Sequence, residues 1–208
     1  MEVKGVNMMA AKVSHVNLMT DTVIANLSPE ALRVILRSMA AADDNGQFTH
    51  KLQHHVQKYL RHELERCSIA PLFSSHNGVD FPTPALAQLR GRISSLFGSG
   101  LAFESLQLLR QIVCQSSELS PNENTPEGAR LVAVLAAIDG DLVQALTAVQ
   151  KIVTINGMKR EMSTSQRQVL LSLRADLADC QSKIDNRGGG FMFERGSTML
   201  ESVLSIWE

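Results

Sequence analysis

Residues 125–152 read TPEGARLVAVLAAIDGDLVQALTAVQKI, and the fold turns on how this stretch is parsed. Thr125-Pro126-Glu127 is a helix start: a side-chain oxygen to cap, a proline whose missing N–H costs nothing in the first turn, and an acid at the positive end of the helix dipole. Leu131 to Ile138 is then almost continuously apolar, too rich for a helix with one wet face, which places it in the middle of a core. Asp139-Gly140 reads as a turn, and Asp141 as the cap of a second helix carrying Leu142, Leu146, Val149 and Ile152. So short a turn implies an antiparallel helical hairpin.

With Gly140 and Ala145 at its turn and small-residue positions, this hairpin resembles a tetratricopeptide unit, which implies helical hairpins stacked side by side. The likeness covers about one eighth of the chain. Ala133 and Ala136 are small where that motif wants bulk, and no period of about 34 residues recurs elsewhere.

Outward from this centre the helix signals repeat. Ser28-Pro29-Glu30 opens a helix with Leu32, Ile35, Leu36 and Met39 on one stripe, and Asp43-Asp44-Asn45-Gly46 stops it. A longer helix runs from about Phe48 to Cys67, with Phe48, Leu52, Val56, Tyr59, Leu60, Leu64 and Cys67 on its apolar side. Residues 71–82 read as a loop. Thr83-Pro84 starts a helix expected to bury Leu86, Leu89, Ile93, Leu96 and Phe97, and another spans about Leu101 to Ser117. Ser163 with Gln166 fits a capping box, and its helix ends at Gly188-Gly189-Gly190. A last helix runs from about Ser197 to Trp207. With so few aromatics and no convincing period-2 run, the expectation is an all-α fold: an irregular bundle or a short stack of antiparallel hairpins, with seven or eight helices. One helical domain over 1–208 is expected, divisible near 118–125, with 188–208 as a docking helix.

Composition narrows the function classes. Twenty Lys and Arg stand against 21 Asp and Glu, so no global basic excess holds a phosphate backbone. Cys67, Cys114 and Cys180 are odd in number and far apart, which suits buried apolar thiols better than a disulfide framework or a zinc site. No run approaches the ~18 consecutive apolar residues of a membrane span, and no export signal opens the chain. An intracellular protein, cytoplasmic or nuclear and without a membrane anchor, is therefore expected.

The chemical motifs fail one by one. Neither of the glycine-rich phosphate loops occurs, and Gly188-Gly189-Gly190 has no strand before it and no Lys-Ser/Thr after it. Phe97-Gly98-Ser99-Gly100 is a turn rather than a nucleophile elbow. His62-Glu63-Leu64-Glu65-Arg66 begins a zinc-protease motif and then puts Arg where the second His must stand. No catalytic residue, cofactor or metal site is expected.

Two surfaces remain. On the second helix, His50 and His54 lie one turn apart, and Lys58 and Arg61 belong to a local basic face. The plain reading is a solvated side; the functional readings are a partner-binding or pH-sensitive face or, less favoured, phosphate contacts or a transition metal chelated by His50 and His54. At the C-terminus, Phe191, Phe193, Met199, Val203 and Trp207 concentrate apolar bulk after the triple glycine. Docking as the last core helix is the plainer expectation for them; docking on a second copy or another protein is the other. A protein-interaction or scaffold module is the expected function, with a nucleic-acid-associated protein or a small-molecule binder as the alternatives.

Overall fold

The computed structural model describes residues 20–66, 70–121, 124–155 and 158–206. Among them, residues 20–26 are helical, followed by α1 (Pro29–Ala41), α2 (Gln47–Glu65), α3 (Pro84–Gly98), α4 (Ala102–Ser116), α5 (Pro126–Val153), α6 (Thr164–Asp185) and α7 (Glu194–Ser205). Two small antiparallel hairpins interrupt them: β1 (Phe73–His76) with β2 (Val79–Pro82), and β3 (Thr154–Ile155) with β4 (Met158–Lys159). The fold is all-α. The chain divides into two compact units between His55 and Val56, inside α2.

The larger unit holds the core. Contacts join α4 to α5, α5 to α7, α7 to α6 and α6 back to α4, so these helices close a four-membered ring, with α3 packed on α4. Leu106, Leu109, Ile112, Ile138, Leu142, Leu146, Leu170, Leu173 and Val203 are fully buried within it. Ion pairs lace the ring from outside: Arg90 to Asp141, Arg110 to Asp176, and Arg174 to Glu201 at 2.8 Å. Each partly exposed pair is worth at most ~1 kcal/mol, so apolar burial holds the bundle.

Three of the start signals are realised atom by atom, while Thr83, expected to cap α3, makes no cap bond and donates from Oγ1 to the Pro71 carbonyl instead. Ser28 Oγ accepts the Ala31 N–H, Thr125 Oγ1 accepts the Gly128 N–H at 3.1 Å, and Ser163 with Gln166 forms the reciprocal capping box. The helix α2 has a cap from further back, for the Asp43 carboxylate accepts the N–H groups of Phe48 and Thr49. Those bonds, that from Thr49 first, hold the Asp43 carboxyl below its ordinary pKa.

Other sequence expectations are corrected as well. The hairpin read at 131–152 does not exist: α5 is one helix of 28 residues that runs straight through Asp139-Gly140. Gly140 costs only ~1 kcal/mol relative to Ala in a helix, and ten buried positions along α5 outweigh it. The tetratricopeptide likeness falls with the hairpin. By length and composition α5 is also long and apolar enough to cross a membrane; here it is one of the four helices of the ring.

Residues 71–82, read as a loop, contain the β1–β2 hairpin. Asn77 and Gly78 both take positive φ, 52° and 73°, which is the two-residue turn that matches strand twist. Tyr59, placed on the buried stripe of α2, is 62% exposed, while Leu60 and Leu64 pack against the core. Phe97, expected to be buried, is at the surface.

The smaller unit is built differently. Its helix α1 has no buried residue, and nor does α2 along its whole length. On α1 the stripe Ile35, Leu36 and Met39 is 42%, 41% and 47% exposed, beside a half-buried Leu32.

Candidate functional site

The residues singled out from the sequence scatter. His50 and His54 are exposed on α2, and Phe48 and Leu52, on its other side, are half-buried. His54 and His55 meet edge to face at 5.9 Å between ring centres, and no group of three metal-binding side chains forms among the described residues. Lys58 is exposed. Arg61 donates from Nε to Glu104 Oε1 at 3.0 Å, so its charge is largely spent on an acid of α4. That pairing thins the basic face on which phosphate contacts would depend.

The C-terminal set goes inward. Phe193 and Val203 are buried in the core of the larger unit, and Phe191 and Met199 pack against it half-buried. Phe191 and Phe193 make an edge-to-face pair at 6.0 Å. Trp207 lies outside the described residues.

What seats α7 is a contact the sequence hid. Asp139, only 4% exposed in the middle of the apolar α5, accepts the Gly196 N–H at 2.7 Å, with Arg195 3.8 Å away. Gly196 is in the first turn of α7, whose own N-cap position, Phe193, has no side chain able to accept. Asp139 therefore caps α7 from another helix, satisfying a donor that the turn leaves open. A Cβ on Gly196 would stand 3.0 Å from both Asp139 Oδ1 and Leu142 Cβ, so the two helices approach closely enough that any side chain there must push its neighbours aside. The signal was available: an acid inside an apolar run needs a partner when buried.

Nucleophiles are quiet. Burial pushes the Cys180 thiol up to about 11; Cys114, expected to be buried, is exposed, and partial desolvation with the neighbouring Asp176 carboxylate still raises its pKa. A neutral thiol is a poor nucleophile and metal ligand. Cys67 is outside the described residues.

Two recesses stand out in the larger unit. A small apolar cleft of about 150 Å³ lies between α2 and α3, bordered by Tyr59, Leu60, Leu64 and Leu96. A larger cavity of about 260 Å³ opens where the C-terminal ends of α4 and α6 meet the glycine turn.

The fold and these surfaces define an all-α bundle protein with an exposed amphipathic helix outside the bundle unit. Comparison with known proteins finds no family model, no curated protein and no solved structure that matches the chain.

Proposed function

We propose that this chain is a non-catalytic protein-interaction or scaffold module, and that α1 is the element it offers to its partner. One observation carries the reading: the apolar stripe Leu32, Ile35, Leu36 and Met39 runs the length of α1 without one buried residue. A helix of 13 residues is marginal in water unless an amphipathic face docks. Flanking Ala31, Ser38 and Ala40 leave Arg33 as the nearest charge beside the stripe, and Arg33 is paired with Glu30 at 2.9 Å. Such a face suits an apolar helix of another protein or of a second copy, packed closely. An intracellular setting, cytoplasmic or nuclear, goes with the reading.

The test compares two variants in native extract, Ile35→Asp with Met39→Asp on α1, and Leu171→Asp on the exposed side of α6 as control. Proteins captured by the wild type and the control, and lost from the α1 variant at unchanged melting temperature, would support α1 as the binding element. Identical captured sets would sink it. A large drop in melting temperature for the α1 variant would mean the stripe is packed by its own chain.

A further inference from the structure

The cavity at the ends of α4 and α6 carries an inference independent of α1. Its lining is mixed in about equal share: Leu135, Ile184 and Met192 give apolar surface, and Ser120, Arg187 and the glycine turn give polar surface. Apolar surface beside converging polar groups suits a small-molecule site.

Arg187 is fixed before any ligand arrives. Its Nε donates to the Lys183 carbonyl at 3.1 Å and its Nη2 to the Ser117 carbonyl, tying the last turn of α6 to the end of α4. A guanidinium has five N–H groups; with two engaged, three remain. Among the described residues Nη1 has the Glu118 carboxylate at 3.8 Å, beyond hydrogen-bond distance, and that carboxylate is held by Lys183 Nζ at 3.2 Å instead. A planar, pre-oriented guanidinium matches a carboxylate better than any other side chain does. The backbone N–H groups of Gly190, Phe191 and Met192 also have no acceptor among the described residues.

The triple glycine keeps the mouth open. A Cβ on Gly188 would meet nothing and one on Gly190 only the end of Met192 at 3.9 Å, so the space above these two is open, whereas one on Gly189 would stand 3.1 Å from the Ile184 side chain. Gly190 has an ordinary φ, and a side chain would enter that space without backbone strain.

We propose that this cavity binds a small amphiphilic monocarboxylate of about ten heavy atoms, its head on Arg187 and its apolar body over Leu135, Ile184 and Met192. The probes are octanoate, the neutral octanamide of the same length, and acetate as the head alone, titrated calorimetrically into the full-length protein. Octanoate is expected to bind at least tenfold more tightly than octanamide, and acetate to show no measurable heat. Gly190→Leu, which fills the cavity while leaving Arg187 in place, is expected to abolish octanoate binding at unchanged melting temperature. The proposal is overturned if octanoate gives no heat at millimolar concentration, if octanamide or acetate binds as well, or if Gly190→Leu folds and binds octanoate like the wild type.

Discussion

The chain carries two short amphipathic helices of almost equal length, α1 with 13 residues and α7 with 12, and they meet opposite fates. On α7, Leu200, Val203 and Leu204 are buried, and Asp139 supplies from α5 the cap that α7 cannot make for itself. On α1, Ser28 and Pro29 supply a complete local start, yet the apolar side remains exposed. The helix with the better local signals is the one without a core. Amphipathicity therefore says that a helix has a face to cover; it does not say by what.

The comparison breaks first in the bundle unit. Leu200→Ala on α7 and Leu135→Ala on α5 should each cost about 2–5 kcal/mol in urea titrations, because both side chains are buried and the ring cannot fully collapse around the gap. A cost below ~1 kcal/mol for Leu200→Ala would mean that α7 is seated as loosely as α1.

Gly196→Ala sharpens the reason. The added methyl must displace Leu142 or the Asp139 carboxylate, and about 1–3 kcal/mol of destabilisation is expected. Gly140→Ala, on α5 where a Cβ meets nothing, should by contrast be neutral or stabilising by up to ~1 kcal/mol. Equal effects at the two glycines would remove the close approach from the explanation.

Alkaline pH probes the same packing more gently. Burial raises the Cys180 pKa from 9.0 to about 11, so the folded protein keeps a proton that the unfolded chain has released. Stability from this group is fully present below pH ~9 and falls as pH rises towards ~11. Cys180→Ala should flatten that decline in urea titrations between the two values. An unchanged slope would place the cause elsewhere.

The smallest effect belongs to α1. Ile35→Ala should leave the stability of the purified protein within about ±0.5 kcal/mol, as a surface change does. A loss of 2 kcal/mol or more, approaching the ~2–5 kcal/mol expected at Leu200, would erase the distinction between the two helices.

Sequence patterning was a good guide wherever the deciding physics is local. Ser28, Thr125 and the Ser163–Gln166 pair cap the helices they were expected to cap, because a hydroxyl needs only a backbone N–H two or three residues away. It misled at Asp139-Gly140, where local propensity favours a turn but two partners lie far along the chain. Asp139 is satisfied by Gly196 and Asp141 by Arg90, so neither acid needs a helix end beside it. Asn77-Gly78 is a local turn signal that reads as part of a loop rather than of a hairpin, because the flanking strands of four residues show too little alternation. Of the candidate site residues, exposure at His50, His54 and Lys58 followed from their position off the apolar stripe. The pairing of Arg61 with Glu104, and the inward turn of Phe193 and Val203, needed the third dimension.

By itself the sequence determined that the chain is helical, where most helices begin, and which side of each is apolar, since caps and 3.6-residue periodicity act within a few residues. Only the tertiary structure decided that α5 is unbroken, that α7 docks inside its own unit while α1 keeps its stripe exposed, and that a cavity opens beside Arg187. Those outcomes depend on groups 50 to 70 residues apart, such as Asp139 with Gly196 and Ser117 with Arg187, and their meeting is set by packing rather than by either neighbourhood alone.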